Sequence, residues 1–207
     1  MLKELFKRYP SLEACKNDIE NAAEEIIKCY ENGGKLLLSG NGGSAADCEH
    51  ITGELLKGFL SKRPLSEEFK AELLKNEARI SKEALEKLQM GLPAINLSSL
   101  PSLSTAFMND VDPFFGFSQA VLALGKKGDV LIAMSTSGNA ENVYNAALIA
   151  KGLGIKVIGL TGEKGGKLKE VADITIKDPE TETFKVQELH LPVYHYLCAA
   201  VEKHFFG

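Results

Sequence analysis

Two short apolar runs in this 207-residue chain each end in a turn of small polar residues and pass directly into helical spacing. KLLLS (35–39) leads into GNGGS, and DVLIAMS (129–135) leads into TSGNAEN. A strand that continues into a helix cannot fold back as a hairpin, so its next sheet partner must lie parallel to it. Such strand–turn–helix units restrict the chain to the α/β class, with helices covering both faces of a parallel sheet in three layers.

The rest of the chain fits that frame. Helical spacing covers 11–31, stopped by Asn32-Gly33-Gly34, and resumes over 44–58. PAINLSS, IKVIGLT (155–161) and ADITIK (172–177) read as further strands, with helices at 102–110, 114–124, 139–153 and 183–205. Pro192 is expected to interrupt or kink the last of these. Residues 61–90, rich in Glu, Lys, Leu and Ala, read as an insertion of two short helices capped by Ser66 and Ser81. The length suits one domain over 1–207.

Composition excludes several roles. A net charge of −4 with scattered lysines gives no basic face for nucleic acid. No segment has the length of a membrane span or a signal peptide, and Cys15, Cys29, Cys48 and Cys198 form no C-x-x-C pair. These features imply a cytoplasmic protein with reduced thiols.

Gly40, Gly42 and Ala45 satisfy the loose dinucleotide pattern after a strand, but that fold also needs a carboxylate about 20 residues on to hold a ribose. The next strand instead ends in Asn96-Leu97-Ser98-Ser99. A simple phosphate fits better: turn glycines expose backbone N–H groups, and a helix N-terminus adds donors and partial positive charge. Ser44 is either a further donor or a plain cap. The second turn offers Ser135, Thr136 and Ser137 in succession, hydroxyl donors suited to a monophosphate, with an ordinary Ser-rich cap as the alternative.

Beyond the first turn, His50 and Glu54 share a helix face at i and i+4, with Asp47 beside them. The last helix carries Gln187, His190 and His195. If the two helices face each other, His50, Glu54, Gln187 and His195 form an N/O set suited to zinc or a similar divalent ion. Without metal, the same groups suit proton transfer between a carboxylate base and an imidazole acid. His190 and His204 lack such company and read as structural or solvent-exposed.

Together, GNGGSAADCEHITGEL, AFMNDVDPFFGF, GDVLIAMSTSGNAENV, KVIGLTGEKGGKL and VQELHLPVYH resemble the sugar isomerase (SIS) domain family, and within it the phosphoheptose isomerase branch. The resemblance implies a five-stranded parallel flavodoxin-like sheet and a homotetramer with active sites at subunit interfaces. It implies an aldose–ketose isomerase that converts sedoheptulose 7-phosphate to a D-glycero-D-manno-heptose 7-phosphate through an enediol. Asn41, Gly42, Gly43, Ser44, Asn109 and Asp110 would line the sugar site, and Ser135, Thr136 and Ser137 would hold the phosphate. His50, Glu54, Gln187 and His195 match the family's metal positions, one zinc per site, with Glu54 as base and His195 as acid.

The chain departs from the family at three places: Ala140 replaces a further serine, Phe184 replaces an aspartate, and 61–90 is inserted after Glu54. The alternative reading within the family is a non-catalytic phosphosugar-binding protein, either a partner of the replication initiator or a regulator. The regulator form carries a helix-turn-helix domain, for which the chain shows no segment, and an interaction module has no use for an acid–base set. An amidotransferase half would need a glutaminase segment with an N-terminal cysteine nucleophile, which is absent.

Overall fold

The computed structural model describes residues 1–207. Five parallel strands make one sheet in the order β2-β1-β3-β4-β5. They are β1 (Leu36–Ser39), β2 (Ala94–Asn96), β3 (Val130–Met134), β4 (Lys156–Gly162) and β5 (Ile174–Asp178). This is the flavodoxin-like order, as expected. Register runs from Leu37 opposite Leu131 to Ile132 opposite Ile158.

Period-2 alternation divides each strand between two cores. Leu36, Leu38, Ile132 and Met134 pack against α2 (Lys16–Glu31), α3 (Gly43–Leu56) and α10 (Thr183–Phe206). Leu37, Leu131, Ala133 and Val157 pack on the other face against α7 (Gly116–Leu124) and α8 (Glu141–Gly152). The chain leaves β1 toward β2 and leaves β3 toward β4, in opposite directions along the sheet. Right-handed crossovers therefore place α3 and α8 on opposite faces. The gap between β1 and β3 is the topological switch point, and both glycine-containing turns open there.

The expected helix over 11–31 begins instead as a 3₁₀ segment, Pro10–Cys15, and becomes α-helical at Lys16. The buried pair Leu12 and Cys15 has the three-residue spacing of a 3₁₀ turn, and the Cys15 thiol donates to the Leu12 carbonyl. Two short helices were outside the sequence reading: α1 (Leu2–Arg8) and α9 (Leu168–Val171). Pro192 does not end α10, which continues through it to Phe206. His190, Pro192, Val193 and Tyr194 are buried, so packing holds the helix across the lost hydrogen bond.

The insertion forms α4 (Glu67–Asn76) and α5 (Lys82–Lys87), with Ser66 accepting from the Phe69 N–H and Ser81 from the Ala84 N–H. Its base is pinched by an antiparallel bridge between Pro64 and Gln89. The remaining helix, α6 (Pro101–Asp110), follows a 3₁₀ turn at Leu97–Ser99. No helix is long and apolar enough to cross a membrane.

Candidate functional site

At the switch point lies a polar cavity of about 350 Å³. Asn41, Gly42, Gly43 and Ser44 form one wall, Ser135, Thr136, Ser137 and Ala140 a second, and Thr183 and Gln187 a third. Each wall is the start of a helix: α3, α8 and α10. None of the three has a side-chain cap. The positive ends of their dipoles thus remain available to a ligand, although in α3 the Ser44 and Ala45 N–H groups already bond the Asn41 and Gly42 carbonyls. No Lys or Arg lines the cavity.

The hydroxyl turn is held by its own acceptors. Ser135 Oγ accepts from the Ala140 N–H at 3.4 Å, and Ser137 Oγ accepts from the Asn139 N–H at 3.1 Å. A hydroxyl that accepts in this way keeps its proton to donate elsewhere. Gly138, with φ +67°, crosses so close to Gly165 that a Cβ there would lie 2.0 Å from the Gly165 carbonyl oxygen. The first turn needs Gly42 at φ +54°. The Gln187 amide packs flat on Gly43, where a Cβ would lie 2.3 Å from Nε2. The two turns are bridged by a reciprocal amide pair, Asn41 Nδ2 to Asn142 Oδ1 at 2.8 Å and Asn142 Nδ2 to Asn41 Oδ1 at 2.9 Å.

The helices α3 and α10 run side by side in the same direction, Gly43 beside Gln187 and His50 beside Tyr194 and His195. Along this seam the Tyr194 hydroxyl donates to Asp47 Oδ1 at 3.2 Å and accepts from His50 Nδ1 at 3.1 Å. That relay fixes the proton of a neutral His50 on Nδ1 and turns the Nε2 lone pair toward Glu54 Oε1, 3.2 Å away. The His195 ring stands edge-on to His50 at 4.9 Å between centroids, and its Nε2 is buried without a hydrogen-bond partner. Burial, reinforced by the neighbouring His50, holds the His195 imidazole below its ordinary pKa. Burial also raises the Asp47 carboxyl and the Tyr194 phenol.

Eleven sequence-derived candidates therefore fall into two adjoining groups. Asn41, Gly42, Gly43, Ser44, Ser135, Thr136, Ser137 and Gln187 line the cavity, while His50, Glu54 and His195 form the cluster one to two turns further along the seam. Gln187 precedes His195 by two helical turns, about 12 Å along the axis, so it is not gathered with the other three. Asn109 and Asp110 do not reach the cavity either. They are exposed at the end of α6, where Asn109 Nδ2 donates to Asp110 Oδ1 at 2.7 Å. None of residues 61–90 lines the cavity. Tyr194 and Thr183 escaped the sequence reading; the adjacency of Tyr194 to His195 was the only signal for the former.

A metal in the cluster is testable against this geometry. No three His, Cys, Asp or Glu side chains converge with ligating geometry. The donors nevertheless fit a divalent ion: two acceptor atoms, His50 Nε2 and Glu54 Oε1, face each other, and His195 Nε2 is orphaned beside them. Facing acceptors repel unless a proton or a cation lies between them.

His190, expected to be structural or exposed, is wholly buried behind the cavity, its Nε2 3.5 Å from Asp178 Oδ2 at the end of β5. Neither side chain has a hydrogen-bond partner. Burial pushes the Asp178 carboxyl up to about 8 and the His190 imidazole down to about 4. Folding thus takes up a proton at Asp178, so its contribution is fully present below the unfolded carboxyl pKa and is lost as pH rises through 8. His190 opposes this only where the unfolded imidazole titrates, below about pH 6.5. Between pH 6.5 and 8 we expect stability to fall by roughly 1–2 kcal/mol, and Asp178→Asn to flatten that slope. Urea midpoints at both pH values measure it; an identical slope in the variant contradicts the assignment.

The chain matches the family model described as SIS domain over residues 3–90 and 83–162. Phosphoheptose isomerase 2 of Campylobacter jejuni is 40% identical over 189 residues, 91% of this chain and 81% of the relative. The solved phosphoheptose isomerase of Francisella tularensis is 30% identical, covers 98% of each chain and superposes with a TM-score of 0.74. That of Neisseria gonorrhoeae is 31% identical, covers 97% of this chain and 98% of its own, with a TM-score of 0.71. A family match over residues 3–162, with a relative 40% identical across 91% of the chain, establishes that the chain belongs to the SIS domain family.

Proposed function

We propose that this chain is a phosphosugar aldose–ketose isomerase of heptose biosynthesis, converting sedoheptulose 7-phosphate to D-glycero-D-manno-heptose 7-phosphate. The observation that carries the reading is the junction of two chemistries. A cavity of neutral donors at three uncapped helix N-termini adjoins a carboxylate–imidazole cluster on the same helices. The first suits a phosphate dianion, and the second suits proton transfer. Relatives named phosphoheptose isomerase, at up to 40% identity, support the same substrate class. An interaction module would have no need of the cluster.

In the reaction, the Glu54 carboxylate takes a proton from C1 of the ketose. The C–H electron pair becomes the C1–C2 double bond while His195 gives a proton to the C2 oxygen, leaving an enediol. Glu54 returns its proton to C2, the O1–H proton passes back to His195, and the aldose forms. Ser135, Thr136 and Ser137 anchor the phosphate, and Asn41 with Gly43 orients the chain between the two ends. His50, Glu54 and His195 would hold a zinc ion, and Gln187 would join them only by leaving Gly43. When bound, such an ion polarises the sugar's oxygens as a Lewis acid.

The reading includes a homotetramer with sites at subunit interfaces. Exposed apolar side chains on α6, on α7 and in the segment between them, among them Met108, Val111, Phe115 and Leu122, support assembly through that face. It also includes a cytoplasmic site of action, in keeping with four cysteines that are all buried and unpaired.

Thr136→Val removes a hydroxyl donor from the phosphate wall while keeping its shape. A charge-assisted hydrogen bond of about 1.5–3 kcal/mol corresponds to a rise in KM of roughly 10- to 100-fold with kcat nearly unchanged. Steady-state kinetics with sedoheptulose 7-phosphate tests this, and an unaltered KM would remove Thr136 from the phosphate site.

A further inference from the structure

The carboxylate of Glu54 is held only by its own helix. Its hydrogen-bonding and ionic contacts are His50 at 3.2 Å and Lys57 at 3.4 Å, one turn away on either side. No side chain from another element fixes it, so its placement depends on the backbone of the last turn of α3. A helix ends with carbonyls that lack donors, and α3 ends at Leu56 in an extended residue rather than a glycine cap.

The Glu54 carbonyl is instead taken by Arg63, from the root of the insertion, and the Leu55 carbonyl by Arg63 together with the Leu92 N–H at 2.9 Å. Its guanidinium donates from Nη2 to the carbonyl of Glu54 itself at 3.0 Å and from Nη1 to that of Leu55 at 2.7 Å. Nε donates to Glu202 Oε1 at 2.9 Å. Glu202, on α10, in turn accepts from the N–H groups of Phe59, Leu60 and Ser61 at 2.7, 2.7 and 3.0 Å. Arg63 and Glu202 are each 1% exposed. A buried ion pair is a poor source of stability compared with apolar packing. This one supplies a fixed fork of donors, aimed along the dipole at the end of the helix that carries Glu54.

We propose that Arg63 is a positioning residue for Glu54, locking the last turn of α3 through the Glu54 and Leu55 carbonyls, with Glu202 holding the guanidinium in place. The inference rests on the reading of Glu54 as the proton-transfer base.

The test compares the parent with Arg63→Met/Glu202→Gln, which removes both charges together and keeps an acceptor for the loop amides. Arg63→Lys, which keeps a donor for one carbonyl, and Glu54→Gln are measured alongside. We expect the double variant to melt cooperatively with KM within about threefold of the parent and kcat lower by roughly 10- to 100-fold, as a small misplacement of a reacting group implies. Amide hydrogen exchange of Glu54, Leu55 and Leu56 should accelerate about tenfold or more. Arg63→Lys should recover part of kcat.

A folded double variant with parental kcat overturns the inference, whatever its exchange. If the double variant does not fold, Arg63→Lys decides: a kcat loss at constant KM supports the assignment, and parental kcat overturns it. Full activity in Glu54→Gln would overturn the reading of the base and this inference with it. An inactive Glu54→Gln beside a fully active double variant overturns this inference alone.

Discussion

Glu54→Gln is expected to lower kcat for sedoheptulose 7-phosphate by about 10³-fold or more, the upper part of the range for loss of a general base. The substitution conserves shape and leaves an amide oxygen near His50. Both partners of Glu54 are themselves substantially exposed, so little stability is at stake. Phosphosugar affinity should stay within a few-fold, because the hydroxyl wall and the α8 N-terminus lie in the separate cavity. A loss confined to kcat identifies an interaction made only in the transition state. An equal rise in KM would instead make Glu54 a substrate-binding group, and rate and affinity both unchanged would remove it from the chemistry.

Gly138→Ala is expected to act on the fold of the phosphate wall. The residue sits at φ +67°, and an added Cβ would lie 2.0 Å from the Gly165 carbonyl oxygen and 2.8 Å from the Gly166 nitrogen. These are backbone atoms and cannot swing away like a side chain. The contact is mutual, since a Cβ on Gly166 would meet the Ser137 carbonyl oxygen at 2.5 Å. The two turns must separate, displacing Ser135, Thr136 and Ser137. We expect a loss of about 3 kcal/mol or more in urea unfolding from strain and lost packing. We also expect a rise in KM of at least ~100-fold from the displaced donors. A variant with parental midpoint and KM would show that the turns have room to part.

That pairing of turns marks the limit of what the sequence could reveal. The strand–turn–helix units at Leu36 and Val130 were legible because hydrophobic runs and turn residues are local signals, and they led to the α/β class. The hydroxyl run Ser135–Ser137 and the i, i+4 pair His50–Glu54 were legible for the same reason. The close approach of Gly138 to Gly165 joins positions 27 residues apart. Local spacing carries no trace of it. The same holds for Arg63, whose burial against Glu202 across 139 residues overrides the solvated reading natural to a charged segment. His190 read as structural or exposed, and its burial with Asp178 depends on how β5 meets α10. Asn109 and Asp110 came from the family resemblance, and in the single chain they turn outward to each other. Pro192 suggested a break, but packing carries the helix through.

The most direct test of the central claim is ¹H and ³¹P NMR of sedoheptulose 7-phosphate incubated with the protein, with and without added zinc, beside fructose 6-phosphate. The account predicts the appearance of the anomeric signals of D-glycero-D-manno-heptose 7-phosphate with the parent, and their absence with Glu54→Gln. An unchanged sedoheptulose 7-phosphate spectrum under both metal conditions, with binding still measurable, would contradict it and leave a phosphosugar-binding protein in its place.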